Sequence, residues 1–129
     1  MILLADAATA HPDGTFSLLR AGIDRVSGIT LPIVLDAAVL LRFCGDPSER
    51  GPHNWRLCVV DADGNRVVRD LEGTFVLPDQ GGVAQFLTRF RIPFSTHGRY
   101  GFRVAVDNTF GDDWPLEVTE QPPTVLKQV

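Results

Sequence analysis

Apolar residues alternate with polar ones along most of this chain, and nowhere do they keep helical spacing for three turns. Such period-two runs, enriched in β-branched and aromatic residues, predict strands with one face turned toward a core. The first runs from Ile2 to Thr9 and meets a second, Thr15 to Ala21, across His11-Pro12-Asp13-Gly14, where proline presets φ and glycine accepts a positive one. A long third strand spans Ile33 to Cys44, with Leu35, Ala37, Val39, Leu41 and Phe43 on the core face and Asp36 and Arg42 on the other. After a polar stretch the alternation resumes from Asn54 to Asp61, with Trp55, Leu57 and Val59 inward and Arg56 outward. Asp61-Ala62-Asp63-Gly64-Asn65 then turns the chain into a fifth strand, Arg66 to Leu71 and extending toward Leu77, before a break at Pro78 to Gly82. A sixth places Phe86, Thr88, Phe90 and Ile92 on one face and Arg89 and Arg91 on the other, and stops at Pro93. The seventh, Tyr100 to Asp107, faces Tyr100, Phe102, Val104 and Val106 inward, and an eighth covers Trp114 to Thr119.

About eight short strands separated by turn signals, with no helix long enough for a crossover, predict an all-β fold: an antiparallel β-sandwich of immunoglobulin-like build. Gly98-Arg99-Tyr100, just ahead of the seventh strand, fits a tyrosine corner, in which a buried phenol bonds backbone a few residues upstream; a plain core tyrosine is the alternative. With 129 residues and 44% hydrophobic content, the chain can bury one core without staples. A single domain over residues 1–120 is expected, followed by a proline-bearing tail over 121–129 that frays.

The strand segments carry a resemblance as well. LLADAA at the start, TFSLLRAG, GPHNWRLCVVDADG, HGRYGFRVAVDN and the closing WPLEV together span most of the chain. In these the chain resembles a family of short, uncharacterised bacterial and phage proteins known as a domain of unknown function. The resemblance implies a β-sandwich-like strand pattern; the family has no assigned activity, so it implies no site residues.

Charge narrows the choice of partners. A formal net charge of -4 argues against a general nucleic-acid binder, and inward-facing aromatics leave no platform for stacking single-stranded bases. The opening MILLADAATA lacks a basic n-region and Asp6 interrupts its apolar run, so it reads as a strand rather than a signal peptide. No segment approaches the ~18 continuous apolar residues of a membrane helix. A soluble, cytoplasmic chain is expected, with Cys44 and Cys58 as reduced thiols used for packing.

Candidate chemistry is sparse. In DADGNRVVRDLE, Asp61, Asp63, Asn65 and Glu72 stand at positions 1, 3, 5 and 12 of a calcium-loop template, but Arg66 occupies the position that needs glycine and both flanks read as strands. A β-turn explains the same residues. If every connection reverses the chain, alternate loops share one end of the sandwich, gathering His11 and Asp13; Asp46, Glu49 and His53; Asp79; and Asp107, Asp112 and Asp113. From this end His11, His53, Asp112 and Asp113 are the candidate ligands for a divalent metal, or an acid/base set; acidic turn residues that keep a surface soluble are the plainer explanation. Arg42, Arg56, Arg89, Arg91 and Arg103 fall on outward faces and are candidates for an anion- or partner-binding surface, although arginine is simply the common cation here, with eleven against one lysine. There is no G-x-S-x-G elbow, no activated cysteine and no phosphate-binding glycine loop. The leading expectation is a non-catalytic protein-interaction or structural module of a bacterial or phage system, self-association included; the alternative is a divalent-metal-binding sandwich or metal-dependent enzyme.

Overall fold

A computed structural model describes residues 1–120; the tail expected to fray, 121–129, lies outside the described residues. Nine strands follow one another: β1 (Ile2–Ala10), β2 (Phe16–Ala21), β3 (Arg25–Gly28), β4 (Ile33–Gly45), β5 (Gly51–Asp61), β6 (Leu71–Leu77), β7 (Gly82–Phe94), β8 (Gly98–Val106) and β9 (Thr109–Glu120), with a 3-10 turn at Pro47–Glu49. They form a four-stranded sheet in the order β2-β1-β4-β7 and a five-stranded sheet in the order β3-β9-β8-β5-β6. Alternation along each strand explains why the sheets face each other. Leu35, Ala37, Val39 and Leu41 of β4 and Phe90, Ile92 and Phe94 of β7 share one core cluster with Leu57 and Val59 of β5, Phe102 and Val104 of β8, and Leu116 and Val118 of β9. No helix among the described residues is long and apolar enough to cross a membrane.

The all-β sandwich stands, with three corrections. The first is an additional strand. β3 is four residues long and pairs with β9 in parallel, Val26 opposite Val118, so the second sheet is not antiparallel throughout. Four residues with one apolar side chain carry no readable alternation. The second concerns the fifth strand, which begins at Leu71; upstream of it only an isolated bridge joins Arg66 to Val60. Residues 66–70 instead run beside the β5 edge, with Val67 N–H bonded to the Val59 carbonyl and Val67 and Val68 packed against the core, and Cys58, although it points away from Leu57 and Val59, is fully buried. Cys44 departs from its expected packing role, because it is exposed near the end of β4.

The third correction is Pro93, which does not end its strand. Proline costs a sheet a ladder bond only where its missing N–H faces a neighbour. Among the described residues β7 has a neighbour only on its β4 side, and the other two strand prolines occupy similarly one-sided stretches. Pro52 lies where β5 pairs with β6 but not yet with β8, and Pro115 where β9 pairs with β8 but not yet with β3. The nitrogen of Pro93 therefore points to the free edge.

Two further features set the outline. The side chain of Gln85 on β7 donates to the Gly14 carbonyl in the β1–β2 turn at 2.6 Å. Since β1 and β7 flank β4 on opposite sides, the hairpin bends across the outside of β4, which accounts for the burial of its outward Ala38 and Leu40. At the start of β8, Tyr100 is buried and its Oη donates to the Thr96 carbonyl at 2.8 Å, with Thr96 Oγ1 2.9 Å away. This is the tyrosine corner expected from Gly98-Arg99-Tyr100.

Candidate functional site

At the opposite end of β8, the β4–β5 and β8–β9 connections meet, and the residue that joins them is His53. Its Nδ1 lies 2.7 Å from Asp107 Oδ2, and its Nε2 meets the carbonyl of Glu49. Both partners are acceptors. A neutral imidazole offers only one N–H, so only the imidazolium satisfies both contacts. The Asp107 side chain and then the Glu49 carbonyl accordingly raise the His53 pKa above its ordinary 6.5. Asp107 is held in turn by the backbone: its Oδ1 accepts from Asn54 N–H at 2.9 Å, and its own N–H donates to the Asn54 carbonyl at 2.8 Å. Asn54 N–H and then His53 lower the Asp107 pKa below its ordinary 3.8. Asp107 and Asn108 both carry positive φ, 50° and 68°, as a tight hairpin turn demands, and Asp and Asn are among the residues that tolerate it best.

The other acidic residues at this end are similarly engaged. Asp46 caps the 3-10 turn by accepting from Ser48 N–H, while the Glu49 side chain returns to the Asp46 N–H, forming a capping box. The hydroxyl and then the N–H of Ser48 lower the Asp46 pKa. Gly81 of the β6–β7 turn, at φ 77°, packs so closely on this connection that a Cβ there would come within 2.8 Å of the Gly45 carbonyl oxygen. A cavity of about 490 Å³ opens beside the clamp, with Phe43, Phe75, Val106 and Phe110 among its lining.

The structure divides the candidate metal residues. His53, Glu49, Asp107 and Asp112 border that cavity, whereas His11 and Asp113 do not. His11 bonds Ser17 Oγ within the β1–β2 hairpin at 2.6 Å, Asp112 pairs with the Met1 ammonium at 2.5 Å, and Asp113 pairs with Arg103 at 3.3 Å. Among the described residues, no three His, Cys, Asp or Glu side chains are grouped so as to hold a metal ion. In the calcium-like segment, Asp61 Oδ1 accepts from the N–H groups of Asp63 and Asn65 while Gly64 takes a φ of 85°, which is a capped turn between β5 and the segment 66–70.

The five candidate arginines also separate. Arg42, Arg89 and Arg91 lie on the outer face of the four-stranded sheet, Arg56 and Arg103 on the outer face of the five-stranded sheet. Arg42 bonds Gln85 at 3.1 Å, Arg89 pairs with Asp36 at 2.9 Å and Arg56 with Glu72 at 3.0 Å. Alternation placed each side chain outward correctly, but it carries no information about which sheet a strand joins.

A family model covers residues 1–119, from the first strand to the penultimate residue of the last. The chain belongs to DUF6941, a family of unknown function. No curated protein and no solved structure matches it. The DUF6941 domain therefore coincides with the sandwich itself.

One feature of the sandwich surface was not visible to motif reasoning. β7 is 13 residues long and is hydrogen-bonded to β4 along its whole length, Gly82 opposite Gly45 through Phe94 opposite Ile33, with no strand on its other side among the described residues. The other edges are shorter: six residues in β2, four in β3 and seven in β6. Period-two patterning identifies β7 as a strand but does not give strand order, so its position at the edge is a product of topology.

Proposed function

We propose that this DUF6941 domain is a non-catalytic protein-interaction module of a bacterial or phage cytoplasm, and that its contact surface is the free edge of β7. The single observation that carries this reading is the length of that unpaired edge. An exposed row of backbone N–H and C=O groups is a template for another strand, and proteins that do not use one usually shorten, cover or charge it. Here the half from Val83 to Leu87 has no charged residue, and Val83 is 42% exposed. The clamp at the other candidate site supports the same reading, since His53 has both ring nitrogens engaged and is not free to shuttle a proton or ligate a metal.

The test is site-specific photocrosslinking in the host cytoplasm. A photoreactive residue at Gln85, Leu87 or Arg91 is expected to give discrete protein adducts, and one at Arg99, at the start of β8, is expected to give none. Loss of adducts at all three edge positions would end the interaction reading for this edge.

A further inference from the structure

The partner that fits this edge is a second copy of the same chain. Resting on the interaction reading above, we infer that two copies pair β7 to β7 antiparallel about a two-fold axis through Thr88, joining their four-stranded sheets into one. The position of Pro93 fixes which backbone groups are available. Its nitrogen faces the free edge, and backbone groups alternate sides along a strand, so the N–H and C=O of Val83, Gln85, Leu87, Arg89 and Arg91 face that edge too, while the even-numbered residues bond β4.

Thr88 is the midpoint of Gly82–Phe94, so a two-fold axis there uses the whole strand. Leu87 then lies opposite Arg89 of the second copy and Gln85 opposite Arg91, each exchanging both backbone bonds. Val83 lies opposite Pro93, which has only a carbonyl to offer and needs only to accept. No arginine faces an arginine. A slip that moves the axis onto Arg89 sets that residue against itself, and one more step sets Arg89 against Arg91, which like-charge repulsion across a strand pair disfavours. The charged half of β7 thus blocks pairing with the charged half of a second copy and leaves pairing with the uncharged half open. This is an isologous contact, and it closes at two copies, with no further β7 edge left to extend it.

Sedimentation equilibrium of the full chain is expected to give a dimer, and Leu87→Pro a monomer with an unchanged circular-dichroism spectrum, because the N–H removed faces the edge and not β4. Thr88→Cys in a Cys44→Ser background provides a second readout. The axis holds the two Thr88 residues as a non-hydrogen-bonded pair, with Cα atoms about 4.5 Å apart, close enough for a disulfide. Mild oxidation should therefore give covalent dimer from Thr88→Cys and none from Phe86→Cys, whose counterpart across the axis is Phe90. A wild-type chain that stays monomeric at every concentration, or a dimer that crosslinks equally well from either position, overturns the two-fold pairing. If the chain is monomeric but Leu87 still crosslinks to a different protein, the interaction reading stands and only the second copy is wrong; if it is monomeric and no edge position crosslinks, both fail.

Discussion

The two ends of β8 are each tied by one polar side chain reaching a neighbouring connection, and they use different chemistry. At the start, Tyr100 Oη donates to the Thr96 carbonyl in the β7–β8 connection, a bond between neutral groups made by a buried ring that also packs on Phe94. Past the end, the charged pair of His53 and Asp107 ties the β8–β9 turn to the β4–β5 connection, with Asp107 half exposed. The first tie involves no ion pair. The second is complete only while the imidazole is charged and the carboxylate is not protonated. Of these two ties, the ion pair is the conditional one, because its strength follows the charge of its two partners.

The largest expected effect tests whether the ends are coupled through the strand between them. Phe102 is fully buried midway along β8 and meets Phe90 edge-on. Phe102→Ala should cost about 3–5 kcal/mol by denaturant unfolding, as large-to-small core changes do. Hydrogen exchange should then speed up at both connections; faster exchange at only one would show that the ends open independently. Next comes Tyr100→Phe, which keeps the ring and removes the bond to Thr96. A loss of about 1 kcal/mol by denaturant unfolding is expected, and no loss would show that the bond to Thr96 does not hold this end.

The two ends also differ in how much of them was legible beforehand. The tyrosine corner is written in contiguous residues, a glycine and an aromatic just ahead of an alternating strand, and its partner is four residues upstream. The His53 clamp joins residues 54 positions apart, and nothing local marks them as neighbours. Reversal of alternate connections brought His53 and Asp107 to one end correctly, yet it also drew in His11, which bonds Ser17 within its own hairpin. β3 escaped detection because its parallel pairing with β9 needs no turn and shows no alternation in four residues. The outward faces of the arginines were readable, but their division between two sheets was not, since strand order depends on long-range pairing.

A smaller effect is the dependence of the clamp's contribution on pH. The His53 pKa is raised above 6.5, so the clamp contributes in full below that value and its contribution falls as pH rises through the folded-state pKa. The Asp107 pKa is lowered below 3.8, so on the acid side the contribution persists above that value and is lost as pH falls through the folded-state pKa. Between about 4 and 6.5 both are in place. Asp107→Asn keeps a residue that tolerates positive φ and keeps an acceptor for Asn54 N–H, but removes the charge beside His53. The thermal midpoint of the variant should lie below wild type at pH 5.5, with the gap narrowing as pH rises above 6.5. A gap that does not narrow would mean that the turn geometry, and not the ion pair, ties this end.

The smallest expected effect is none. A metal that binds only the folded chain must raise its thermal midpoint. To ligate one, His53 would have to give up a proton and abandon either Asp107 or the Glu49 carbonyl, so binding would have to outweigh the clamp it breaks. Chelator-treated protein is therefore expected to melt at the same temperature with or without calcium, zinc or manganese. The comparison is sharpest at pH 8, where the imidazole proton is most easily lost and a metal would compete best. A rise there that His53→Ala abolishes and Tyr100→Phe leaves intact would convert the conditional end of β8 into a metal site. A rise that survives His53→Ala would place the metal elsewhere and leave the clamp as described.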